Sequence, residues 1–194
     1  MSSVLVVSSH LADEHPKRSD RYEVFPVECD GTFGYADGLI EAWSTQNTLV
    51  LVEHDMEFSD ELVSELASCP EPLCAFPYLI WSRHNGWHYA QAVGANRRLE
   101  LGDEWADHSS IGFAKITPEA RAKPLMRLWW WMVENAVHHA LGGSVIEDDP
   151  HHIYNGEPDP TLVRDIRPPT AGRWHIHWPH IEHHHPYPEP YPAA

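Results

Sequence analysis

Glu53, His54 and Asp55 stand directly after the apolar run Thr48 to Val52 and are followed by Met56-Glu57-Phe58. A strand ending in acid-x-acid places two carboxylates at one sheet edge, the second reaching a hard cation and the first a hydroxyl or water of a ligand. The same residues also read as a solvated acidic loop that caps the next helix, because strand-to-helix loops are commonly acidic. A second cluster comes late in the chain. His175-Ile176-His177 puts both imidazoles on one face of a strand, since side chains alternate with period two, and His183-His184-His185 follows within reach. Such a pair suits zinc or iron as a metal site of its own; the plainer reading is histidines filling a polar sheet face. Glu134 lies beside Trp130 and Trp131 and, on a helix, shares a face with His138 one turn on. Burial among aromatic rings would raise its pKa, whereas a surface position would leave it an ordinary helix carboxylate.

These residues need elements to hold them. Val4 to Val7 reads as a short buried strand, with Ser8, Ser9 and His10 at its carboxyl end. Tyr22 to Val27 reads as a second strand, and Pro26 within it points to an edge or a bulge. Tyr35 to Trp43 has the apolar spacing of a helix packed on the sheet, and Thr48 to Val52 is the clearest buried strand. Ser59 fits an N-cap, with Asp60 and Glu61 in the first turn and Leu62, Val63, Leu66 and Ala67 as the apolar stripe. Further strands are expected at Cys74 to Trp81, Ile111 to Ile116 and Trp174 to Trp178. The longest helix is expected from Lys123 to Leu141, with Pro124 in its first turn and Gly142-Gly143 ending it. Alternating strands and helices give one α/β domain over residues 1–185, and the Pro-rich 186–194 an extended or disordered tail.

The chain has 194 residues with 13 Lys+Arg against 29 Asp+Glu, a formal charge of −16 with histidine neutral. Phosphate-backbone binding needs clustered Lys and Arg, so nucleic acid and anionic membranes are poor partners for it. A phosphorylated ligand would have to be met by a metal ion, helix N-termini or a few placed basic residues. Cys29, Cys69 and Cys74 are too few and too irregular for a disulfide framework or a thiolate zinc site, which points to a reduced, cytoplasmic setting. No stretch of 18 apolar residues occurs, so no membrane span is expected.

Gly34-Tyr35-Ala36-Asp37-Gly38-Leu39-Ile40-Glu41-Ala42-Trp43, followed by Leu49-Val50-Leu51-Val52-Glu53-His54-Asp55, resembles the central block of GT-A fold glycosyltransferases. There, a helix carrying an Arg/Asn-x-Gly-type segment precedes a hydrophobic strand that ends in a metal-binding DXD motif. The same block resembles small glycosyltransferase-like proteins of actinobacterial phages, which would place the protein in the host cytoplasm. The resemblance covers about residues 4 to 82. Glu53 stands where the family has Asp, and Asp37 where it often has Asn or Arg.

The resemblance implies a Rossmann-like, mixed but mostly parallel sheet flanked by helices, and transfer of a sugar from a nucleotide-sugar to a protein or glycan acceptor. It implies that Asp55 coordinates Mn²⁺ or Mg²⁺ bridging the two donor phosphates, while Glu53 faces the ribose or sugar. Ser8, Ser9 and His10 would lie by the base or ribose, with Tyr35 and Asp37 at the donor side. A late histidine often completes the metal shell in this family, and His177 and His183 are the candidates. Inverting members use a carboxylate on or before a helix that ends in Gly, which nominates Glu134 as the base, with Asp148 and Asp149 in reserve. The tryptophan triplet offers sugar stacking or packing against a partner helix.

Overall fold

The computed structural model describes residues 3–29, 34–83, 86–93, 97–121, 123–125, 133–142, 144–146, 153–154, 157–158, 165–167 and 173–184. Strands β1 (Val4–His10) and β2 (Glu23–Glu28) are followed by α1 (Gly34–Trp43), β3 (Thr48–Val52), α2 (Asp60–Ser68) and β4 (Leu73–Ala75). Next come β5 (Leu79–Ser82), β6 (Gly86–Tyr89), β7 (Ala92–Val93), β8 (Arg97–Arg98), β9 (Trp105–Ala106) and β10 (Phe113–Ile116). After a 3-10 turn at Pro118–Ala120 lie α3 (Val133–Ala140), β11 (Ser144–Ile146), β12 (Ile153–Tyr154), β13 (Glu157–Pro158), β14 (Asp165–Arg167) and β15 (Trp174–Ile176).

Seven strands form one sheet in the order β2-β1-β3-β10-β4-β15-β9. β1 is parallel to β2 and β3, and β15 is parallel to β4. β10 runs antiparallel to β3 and β4, and β9 antiparallel to β15. The sheet is therefore mixed, with β1, β2, β3, β4 and β15 pointing one way. β2 lies at the edge, where the missing N–H of Pro26 is tolerated.

All five residues of β3 are buried, so its alternating side chains feed two cores. Leu49 and Leu51 join Leu5 and Val7 of β1, Leu39, Ala42 and Trp43 of α1, and Ala136, Val137 and Ala140 of α3. Val50 and Val52 join Val6, Val63 and Leu66 of α2, Cys74 and Phe113. Helices thus cover both faces, which is why β1 and β3 read as continuous apolar runs rather than alternating ones. Each fully buried Leu or Val contributes about 1.5–3 kcal/mol relative to exposure.

Ser59 caps α2 as the sequence suggests, its hydroxyl accepting from Leu62 N at 3.3 Å. The expected strand from Cys74 to Trp81 is instead two pieces, β4 and β5, separated by Phe76-Pro77-Tyr78, because a proline cannot donate to the ladder. The expected helix start at Lys123 is also corrected. Lys123 and Pro124 are not helical; Lys123 N donates to Ala140 O at 2.9 Å, and Lys123 O accepts from Trp43 Nε1 at 3.1 Å. This segment lies beside the last turn of α3, whose described part begins at Val133. Gly142 follows α3 with φ 104°, a left-handed conformation that glycine adopts without cost. No helix among the described residues is long and apolar enough to cross a membrane. Residues 186–194 lie outside the described residues.

Candidate functional site

β1, β2 and β3 end at the same sheet edge, because they are mutually parallel. This brings Ser8, Ser9 and His10, the last residues of β1, next to Glu53-His54-Asp55 after β3. Ser9 Oγ accepts from His54 N at 2.9 Å, which ties the two strand ends together. β10 enters at this edge, and Glu53 N donates to Gly112 O at 2.8 Å. A Cβ at Gly112 would lie 2.7 Å from the Tyr78 hydroxyl, so glycine here leaves room for that ring.

The C-terminal segment closes the other side. Ile181 N donates to Pro77 O at 3.0 Å, Glu57 N to Glu182 O at 3.1 Å, and His184 N to Asp55 O at 2.7 Å. His183, paired by a β-bridge with Met56, thereby places Nε2 2.9 Å from Asp55 Oδ2. The Tyr78 and His183 rings meet edge to face with centroids 5.1 Å apart. Asp55 and His183 side chains are only 14 % and 9 % exposed, yet Asp55 Oδ1 is buried with no hydrogen-bond partner among the described residues. Burial works to raise the Asp55 pKa, but the hydrogen bond and charge of His183, with the charge of His54, take it below the ordinary carboxylate value.

Lys17 is a member of this site that sequence reasoning missed. Its Nζ donates to His54 O at 3.1 Å and Met56 O at 2.8 Å, bracketing Asp55. Burial lowers the Lys17 pKa, with Asp55 and Glu14 opposing. Nothing in its spacing marks it, since the Asp13 to Arg21 stretch looks like any charged loop. Tyr35, at the start of α1, has a buried hydroxyl with no hydrogen-bond partner among the described residues. Burial and the nearby Glu53 carboxylate raise its pKa well above the usual phenol value. Cys29, just past β2, is raised by burial, with Ser9 opposing and Glu53 adding to it. Asp37 is exposed in the first turn of α1. His10 bonds through Nδ1 to Leu11 O at 3.0 Å.

His177 does not join this group, which corrects its assignment beside Asp55. Its Nδ1 meets Glu65 Oε1 at 3.0 Å, and its Nε2 lies 3.2 Å from His175 Nδ1. The spacing of the cysteines gives no thiolate zinc site, yet the fold sets two of them beside two histidines. Ligand atoms of Cys69, Cys74, His175 and His177 all lie within 4.8 Å of one another.

Glu134 lies in α3, but its side chain falls outside the described residues, as do Asp148, Asp149, Trp129, Trp130, Trp131 and His185. One turn on, His138 is fully buried with Nε2 donating to Ser109 O at 3.0 Å and its ring stacked on His108 with centroids 4.3 Å apart. Burial, helped by repulsion from His108, lowers its pKa to about 3.

No family model and no curated protein matches the chain. Among solved structures, the crystal structure of A197 from STIV is similar at a TM-score of 0.35 and 12 % identity, over 60 % of this chain and 65 % of that one. The chain therefore spans less than two thirds of that protein's length, and the likeness is too slight to carry an argument about fold or activity.

Proposed function

We propose that the protein is a metal-dependent glycosyltransferase of the GT-A type, moving a sugar from a nucleotide-sugar donor to a hydroxyl of a protein or glycan acceptor. In this reading the mixed sheet is a Rossmann-like GT-A sheet, and the edge formed by β1, β2 and β3 is the donor side. The observation that supports it is the buried Asp55 carboxylate, with Oδ2 held by His183 and Oδ1 unpartnered among the described residues, just past the carboxyl end of β3.

These groups fit a hard divalent cation, since a buried carboxylate oxygen without a partner is what an oxygen-seeking ion would satisfy. Asp55 and His183 would hold Mn²⁺ or Mg²⁺, which supplies charge neutralisation to a departing nucleoside diphosphate. Lys17 fixes the backbone on both sides of Asp55. Glu53 faces the ribose or sugar, Tyr35 and Asp37 flank it from α1, and Ser8, Ser9 and His10 line the base side. Glu134 is retained as the base of an inverting course, with its carboxylate taking the acceptor proton. Net negative charge supports an ion-assisted diphosphate site over one built on basic side chains.

The test is a thermal-shift panel of nucleotide-sugars with and without Mn²⁺, since ligands of the native state raise the midpoint by mass action. A rise that needs both Mn²⁺ and a nucleoside diphosphate, and that Asp55→Ala abolishes, is the expected result. No rise with any donor would sink the reading, and a rise without sugar turnover would leave a binding module in place of an enzyme.

A further inference from the structure

Two sulfurs and two imidazoles meet on the α2 face of the sheet. Cys69 is the C-cap that follows α2, and Cys74 lies in β4 after four intervening residues. β15 pairs in parallel with β4 so that His175 stands opposite Cys74, and His177 follows two residues on. Cys69 Sγ is 3.4 Å from His175 Nδ1, and His175 Nδ1 is 3.2 Å from His177 Nε2.

We propose that Cys69, Cys74, His175 and His177 form a tetrahedral zinc site that fastens β15 to the sheet. A tetrahedron with the usual Zn–S and Zn–N lengths has N···N edges of about 3.4 Å and S···N edges of about 3.6 Å. The two distances already match. The Cys69 and Cys74 sulfurs, both free thiols, lie 2.9 Å apart, against an S···S edge of about 3.8 Å, so they part by roughly 0.9 Å on binding.

The surroundings independently suit a metal. Glu65 Oε1 takes the Nδ1 proton of His177, which fixes the tautomer with Nε2 directed at the cluster, the arrangement by which carboxylates orient metal-bound imidazoles. Lys115, almost fully buried and cross-strand from Cys74, donates from Nζ to Cys69 O at 2.6 Å. Burial, with the hydrogen bond to Cys69, raises the Cys74 thiol well above its ordinary value, and the Lys115 charge opposes this. On binding, two S–H bonds lose their protons to solvent and two Zn–S bonds form, leaving zinc with two thiolates and two neutral imidazoles. Two sulfurs and two nitrogens select zinc over Mg²⁺ or Mn²⁺, and four protein ligands leave no open position, so the site is structural. β15 has only three residues, and the chain runs directly from it to His183. The zinc thus steadies the segment that delivers His183 to Asp55.

The experiment uses the full chain, reduced, loaded with Zn²⁺ and freed of excess by gel filtration. About one zinc per chain is retained, as four-ligand structural sites do. With Co²⁺ as the probe, absorption shows sulfur-to-metal charge transfer and the intense visible bands of tetrahedral cobalt. This readout on the unaltered chain needs no variant to fold. Zinc protects Cys69 and Cys74, but not Cys29, from alkylation. Glu65→Gln lowers zinc affinity by about tenfold or more, while Asp55→Ala keeps the zinc, so this site and the Mn²⁺ site fail separately. Absence of retained zinc, a cobalt spectrum without sulfur charge transfer, or full retention in Cys69→Ser/Cys74→Ser would each overturn the proposal.

Discussion

His183 Nε2 sits 2.9 Å from Asp55 Oδ2, across 128 residues of sequence. The contact exists because the chain after β15 turns back along the sheet edge, bonding through Ile181, Glu182 and His184 to Pro77, Glu57 and Asp55 in turn. Three backbone hydrogen bonds therefore set the position of one side chain. That arrangement holds an imidazole and a carboxylate together in a nearly dry setting, where one carboxylate oxygen stays without a partner.

Asp55→Ala is expected to abolish Mn²⁺-dependent binding of a nucleoside diphosphate. The variant loses a hard oxygen ligand at a site whose neighbours include one ammonium, that of Lys17, already bonded to two backbone carbonyls. Calorimetry in excess Mn²⁺ measures this directly, and unchanged binding would remove Asp55 from the metal site. His183→Ala should weaken the same binding less, because the carboxylate remains.

What the sequence discloses and what it hides divide along sequence separation. β3, α2 and the Ser59 cap are legible because their signals lie within a few adjacent residues: five apolar positions, a hydroxyl, then acids in the first turn. The acid-x-acid loop is legible as the end of that strand. The partners are not. Cys69 and Cys74 give no metal signal alone, since His175 and His177 arrive from the far end of the chain only when β15 pairs with β4. In sequence, His177 is indistinguishable from His183 as a companion of Asp55 for the same reason. Lys17 acts through its reach to backbone carbonyls, which leaves no trace in spacing.

Ser59→Ala should lower stability by about 1 kcal/mol, the usual cost of losing an N-cap hydroxyl. The hydroxyl satisfies Leu62 N, which otherwise has no intrahelical acceptor. Urea denaturation checks this, with Ser59→Asp retaining most of the stability.

Gly38→Ala should destabilise by about 1–3 kcal/mol through overpacking. A Cβ at this position would lie 2.6 Å from Val27 Cγ1 and 2.7 Å from Cγ2, where α1 crosses edge strand β2. The three nearest atoms all belong to Val27, so Val27→Ala in the Gly38→Ala background should recover part of the loss. Equal stability of Gly38→Ala and the parent would show that α1 can move off the sheet without cost.

His138 gives the protein a defined sensitivity to acid. Its folded-state pKa is lowered to about 3 by burial, with His108 adding repulsion, whereas in the unfolded chain it titrates near 6.5, as an ordinary histidine does. Between those values the unfolded state binds the extra proton, so stability falls as pH falls below about 6.5 and is fully present above it. The slope from this one group approaches about 1.4 kcal/mol per pH unit. The histidine should therefore remove roughly 2 kcal/mol of stability between pH 6.5 and pH 5. Replacing it with glutamine keeps a donor for Ser109 O but cannot take a proton, so His138→Gln should show a shallower decline over the same range. Urea titrations of both proteins at pH 7, 6 and 5 measure the difference. Parallel stability profiles would mean that His138 is solvated, and charged on acidification, in the folded protein.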